Sequence, residues 1–366
     1  MSIMNQMEES TVPNRKNELS LMNVILCLFV IFIHAASNAV TYADRASLQY
    51  ALLFPVWKLA SCAVPGFFFL AGVKLALGLE KPFSYPKYLL GRLKRVVLPY
   101  IAAAVIFELY FCVSGIGQSG NFFALLLSGN LEAHFYFVIT IVQFYLTAPV
   151  WRLLAKKLDS GVRVAAALVI AYFLSLIFGQ YLADFLILFD NSRVFPYCDR
   201  IFTTYLFWWV AGLAAGRYYD KVRAEALRSF IPALVIFLPA AILDGWLAYI
   251  HTAKKAGIWW LETAHTFDVV TAIIFLFALC TKLADSSVVK LALPLDRVSY
   301  QVYLFHPLFL YFADELCKRP GVSILFSLIV RLLFGGVVTI GVFIAADKVA
   351  TALKRRSHRE SSRSPS

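Results

Sequence analysis

Charge is scarce in this chain. Lys, Arg, Asp and Glu make up 15% of its 366 residues, 60% are hydrophobic, and the mean hydropathy is +0.72. A soluble domain carries about 25% charged residues, so that class is excluded and a membrane protein is implied. Several catalytic signatures are missing too. There is no Gly-x-Ser-x-Gly, no Walker-type glycine loop and no His-Glu-x-x-His, so serine hydrolase, nucleotidase and zinc protease have no motif behind them. The cysteines, Cys27, Cys62, Cys112, Cys198, Cys280 and Cys317, never form Cys-x-x-Cys, and their spacing points to no zinc or redox centre. Most read as small packing residues, while Cys198 and Cys317 fall near the same membrane face and leave a disulfide open. No internal repeat or second domain is visible.

What is present is apolar length. Ten runs of about 17 to 25 residues lie near 19–39, 59–79, 96–116, 134–151, 164–188, 200–216, 229–248, 266–281, 296–316 and 323–350. Each matches a helix rising about 1.5 Å per residue across about 30 Å of hydrocarbon. The expected fold is therefore an all-α polytopic membrane protein with about ten transmembrane helices. A short segment over 1–18 precedes the membrane domain over 19–350, and a charged, Ser-rich tail over 351–366 is expected to be disordered.

Lys and Arg set the orientation. Alternate loops hold 23 on one side and 8 on the other, and the richer side, which includes both termini and the loop Lys81 to Arg95, is expected in the cytoplasm of a cell-membrane protein. The net charge of +12 is then mostly topology, with no nucleic-acid surface in it. Arg15, Lys16, the apolar stretch and Ala-Ala-Ser-Asn-Ala at 35–39 imitate a cleavable signal peptide. Cleavage would strand the C-terminal charges, so an uncleaved first helix is the reading.

Ionisable residues within apolar runs are costly and mark functional sites by default. His34, Glu108 and Asp244 fall in the outer half of their spans, His134 opens the fourth, His306 lies near mid-membrane in the ninth, and His265 with Asp268 opens the eighth. A neutral imidazole in that layer suits a general base acting on an alcohol, with a carboxylate to orient it. Each also has a bland reading. His34 can simply bond a neighbouring helix, His134 can be an interfacial residue, and His306 can satisfy backbone freed by Pro307. His251, in an outer loop, and His358, in the tail, read as solvated.

The order of segments carries more information than any one residue. Leu26-Cys-Leu-Phe-Val-Ile-Phe-Ile-His34, then Val64-Pro-Gly-Phe-Phe-Phe-Leu-Ala-Gly72, then Arg92-Leu-Lys-Arg-Val-Val-Leu-Pro-Tyr100 resembles the opening of the acyltransferase-3 family of integral membrane acyltransferases. His134-Phe-Tyr-Phe, Trp208 to Arg217, and Ser299-Tyr-Gln-Val-Tyr-Leu-Phe-His306-Pro307 resemble its later stretches, in the family's order. The resemblance implies ten or so helices, acyl-CoA as a cytoplasmic donor substrate with no permanently bound cofactor, and transfer of acetyl, succinyl or a similar group to a hydroxyl of an exported glycan or glycolipid.

It implies His34 as the essential histidine, read here as general base or transient acyl acceptor with His134 as an outer-layer partner, and the position of the basic loop at the cytoplasmic mouth makes Arg92 and Arg95 candidate contacts to CoA phosphates. Those two arginines serve equally as positive-inside anchors. Glu108 is a candidate orienting carboxylate by depth alone, and His306 and Asp244 are candidate substrate contacts. One position departs: the family commonly has Arg eleven residues before the histidine, where this chain has Asn23. Either Arg15 or Lys16 substitutes from outside the helix, or this branch binds its donor differently, or activity is altered. The stretch from Gly129 through Gln143 resembles the branch linked to succinylation of poly-N-acetylglucosamine. A proton-coupled lipid or glycan transporter and an inactive scaffold are the rival readings.

Overall fold

The computed structural model of the protein describes residues 16–116, 120–182, 197–319 and 321–361, and every regular element among them is helical. Helix α1 (Asn17–Tyr42) is followed by α2 (Leu48–Leu59) and α3 (Ala63–Ala76), which a 3-10 turn joins into one span of 29 residues. Helix α4 (Tyr85–Arg92) runs through a π-helical turn, Leu93–Val97, into α5 (Leu98–Ser114). A short α6 (Phe122–Ser128) meets α7 (Tyr136–Leu146) through a break bent by 50°. Then come α8 (Ala148–Lys157), α9 (Gly161–Leu176), α10 (Leu206–Arg217) and α11 (Tyr219–Arg228). The rest are α12 (Phe230–Lys254), α13 (Leu261–Leu283), α14 (Val288–Cys317), α15 (Ile324–Leu332) and α16 (Thr339–Ser361), the last two joined by a π-helical stretch.

Among the described residues, seven helices are long and apolar enough to cross a membrane, or eight with the bent pair counted as one span. The other two expected spans are helical as well. One is the 30-residue α14; the other, α10, has only 12 residues after a 3-10 turn, Phe202–Tyr205. The tail departs from expectation, because α16 continues to Ser361 rather than ending near 350. Lys354, Arg355 and Arg356 are good helix formers, and cations suit a helix C-terminus. Cys317 has no disulfide to any described residue, and the side chain of Cys198 lies outside the described residues.

Two backbone features fix the site's surroundings. A Cβ on Gly212 would lie 2.1 Å from the Phe69 carbonyl oxygen, and one on Gly72 would lie 2.4 Å from that of Trp209. Helices α3 and α10 therefore touch backbone to backbone, the approach that small residues permit between membrane helices. Gly129 ends α6 with φ of 67°, in the left-handed region that turns the chain into the bend before α7. At the start of α1, buried Glu18 accepts from the Tyr219 hydroxyl at 2.6 Å and from Arg223 Nε at 3.0 Å. Burial and then that carboxylate push the Tyr219 phenol above its usual range, so it remains a donor. The largest apolar cluster surrounds α1, with Leu26, Val30, Phe107, Phe135, Val302 and Leu304 among its buried members.

Candidate active site

Three histidines meet in that core. The ring of His34, on α1, lies 5.8 Å from that of His134 and 5.1 Å from that of His306, and the latter two are 5.2 Å apart, centroid to centroid. His134 and His306 are buried. His134 sits in the 3-10 turn Ala133–Phe135 that follows the Gly129 bend, so the broken span delivers it to the interior.

Main-chain carbonyls of α14 fix how two of the rings present their nitrogens. Pro307 has no N–H to give the Tyr303 carbonyl one turn back. His306 Nδ1 fills that vacancy at 2.8 Å, so the bland reading of His306 is met in the geometry. With the proton on Nδ1, Nε2 is left as a lone pair, buried and without a hydrogen-bond partner. His134 mirrors this, because its Nε2 donates to the Leu304 carbonyl at 3.1 Å and its Nδ1 is buried and unpartnered. The Tyr303 hydroxyl donates to the His134 carbonyl. Main-chain carbonyls thus set the tautomers where a carboxylate was expected.

The turn carrying His34 is clamped from outside. Trp57 Nε1 donates to the Ile33 carbonyl at 3.0 Å, Arg331 Nη2 to the His34 carbonyl at 2.8 Å, and Arg331 Nε to the Ala35 carbonyl at 2.8 Å. Arg331 is buried in α15 and is paired with Asp314 of α14 through both carboxylate oxygens. Among the described residues neither ring nitrogen of His34 carries a hydrogen bond, so the clamp holds the helix and leaves the imidazole available.

Beside the cluster lies a cavity of about 190 Å³ lined by Asn23, Lys74, Tyr88, Arg92, Tyr145 and Tyr303 among others. Tyr303 is the shared wall, its ring 5.2 Å from that of His134. Arg92 lies over the rings of Tyr88 and Tyr145, 4.9 and 4.5 Å from their centroids. Such stacking, with a hydrogen bond between Arg92 and Tyr88, holds the guanidinium at the cavity wall. Asn23 donates to Asp296 at 2.8 Å and to Ser299 Oγ at 2.9 Å, which ties α1 to α14 at the cavity wall.

Several expected residues fall elsewhere. Arg95 is exposed and outside the lining, because the π-helical turn between α4 and α5 widens the spacing per turn and rotates it off the Arg92 face. Glu108 follows Phe107, whose ring contacts His134, and so points off that face. Its described neighbour is Cys112 at 4.0 Å, so it does not orient either histidine. Asp244 joins His265 and Asp268 in a separate cluster. Lys16 lies over the Tyr219 ring, 4.9 Å from its centroid, and not in the cavity; Arg15 lies outside the described residues.

Sequence reasoning missed Lys74, Tyr88, Tyr145 and Arg331. Lys74 and Arg331 did carry a signal, as two of the few cations inside apolar runs. Gln143, read above within a resembling stretch, has a bridging role: its amide donates to the Arg200 carbonyl at 2.7 Å and accepts from Phe202 N at 3.2 Å.

Comparison with known proteins bears on what this arrangement does. No curated protein and no solved structure matches the chain. The model of one family, an acyltransferase domain, matches residues 16–347, which includes the three histidines, the cavity and the Arg331 clamp. The chain belongs to the acyltransferase-3 family and is a membrane acyltransferase.

Proposed function

We propose that this protein moves an acyl group from acyl-CoA to a hydroxyl of an exported glycan or glycolipid, with His34 as general base. One observation carries the reading: a histidine whose ring nitrogens carry no hydrogen bond among the described residues, in a clamped turn, stands among two further histidines that each offer a buried lone pair, next to a cavity walled by Lys74 and Arg92. The acceptor oxygen attacks the thioester carbonyl while His34 takes its proton. The carbon–sulfur bond then breaks, and the proton passes from the imidazolium to the CoA thiolate. Lys74 and Arg92 suit the anionic part of the donor, or the free carboxylate of a succinyl group. They also supply cationic charge in the cavity that Asn23 lines without any of its own.

The test is transfer of a labelled acyl group from acetyl-CoA or succinyl-CoA by the purified protein in liposomes, with candidate glycans supplied on either side. Acylated glycan is the expected product. Glycan movement across the bilayer with no acyl transfer from any donor would overturn the proposal in favour of a transporter.

A further inference from the structure

A second polar cluster lies apart from the three histidines. Asp244 of α12 and His265 and Asp268 of α13 each bring one donor atom within 4.8 Å of the others. His265 and Asp268 are three residues apart and share one helix face, and Asp244 faces them from the neighbouring helix. Gly245 lets α2 close over this end, since a Cβ there would lie 2.9 Å from Pro55 Cβ. No hydrogen bond or ring contact among the described residues joins this cluster to His34, His134 or His306.

The polar atoms of this cluster are only partly paired among the described residues. Ser61 has one hydroxyl proton, and it goes to the Lys58 carbonyl at 2.6 Å. His265 Nε2 lies 3.4 Å from the same Ser61 Oγ. His265 Nδ1 lies 2.8 Å from Asp244 Oδ2, which holds this edge of the imidazole toward the two carboxylates. Asp244 Oδ1 and Asp268 Oδ1 are both buried and have no partner among the described residues, in residues that are each 1% exposed. Two buried carboxylates with unused oxygens and a histidine nitrogen turned toward them form a donor set that suits a metal ion.

We infer that Asp244, His265 and Asp268 bind one divalent transition-metal ion, through Nδ1 of His265 and one or more oxygens of each carboxylate. One imidazole with two carboxylates suits Zn²⁺ or Mn²⁺ better than softer, thiolate-seeking ions, and it leaves coordination positions for water. The ion would tie α12 to α13.

The experiment uses the full chain, purified with a histidine-free affinity tag, reconstituted in nanodiscs and stripped with EDTA. Titration with Zn²⁺ or Mn²⁺ should load one equivalent, measured by elemental analysis after desalting, and should raise the melting temperature, whereas Mg²⁺ and Ca²⁺ should not. Asp268→Asn and His265→Gln should each weaken binding at least tenfold. X-ray absorption of the Zn²⁺-loaded wild type should show an oxygen-rich shell with a single imidazole. Failure of the stripped wild type to retain an equivalent of either ion would overturn the inference and leave the contact of His265 Nδ1 with Asp244 as a plain hydrogen bond. A shell with several imidazoles would also overturn it, by moving the ion to the three histidines. The wild-type measurements stand even where a variant fails to fold.

Discussion

Replacing Arg331 with Met keeps much of the buried stem and removes the guanidinium that joins α15 to α14 and α1. Four partners lose a donor: Asp314, the carbonyls of His34 and Ala35, and Ser37 Oγ at 3.3 Å. Removing one member of a buried ion pair costs roughly 3–5 kcal/mol, mostly because the other charge is stranded. The Asp314 side chain is 31% exposed and can take up water, and the two carbonyls remain within helical hydrogen bonding. The expected loss is therefore about 2–4 kcal/mol. Unfolding in mixed micelles, followed by tryptophan fluorescence, measures it. Asp314→Asn in the Arg331→Met background should recover at least about 1 kcal/mol relative to the sum of the single changes. Because the clamp holds the His34 turn, kcat should fall more than KM rises. Stability within about 0.5 kcal/mol of wild type, together with unchanged turnover, would refute the clamp.

Three further expectations follow from the geometry. Arg92→Ala should weaken acyl-CoA use by about 1.5–3 kcal/mol, read as a raised KM for the donor, while Arg95→Ala stays near wild type; equal effects would separate donor binding from the cavity. Gly212→Val should force α3 and α10 apart and cost roughly 1–3 kcal/mol, and an unchanged unfolding midpoint would contradict the backbone contact. A single cysteine introduced in the tail near 360 should resist an impermeant reagent in intact cells, and its labelling would sink the cytoplasmic placement of the termini.

Helix positions were legible because apolar length is a local property, and so was much of the histidine cluster. His34, His134 and His306 stood out as ionisable groups in apolar runs, and they do meet. Partners were harder to read, since the pairing of Arg331 with the His34 turn spans 297 positions in the sequence. Depth placed Glu108 in the right layer but could not say which way the helix faced it. The π-helical turn after Arg92 is a break in helical register that periodicity does not encode, and it is what separates Arg92 from Arg95. The tail's charge suggested disorder, yet its Lys and Arg residues extend a helix that the membrane span has already nucleated.

The most direct measurement is acyl transfer by His34→Ala, inserted at normal level in liposomes with a donor and acceptor the wild type uses. Loss of its general base should lower turnover about 100-fold or more, with donor binding retained because the cavity residues are untouched. Acyl transfer at the wild-type rate would contradict His34 as the centre of the chemistry.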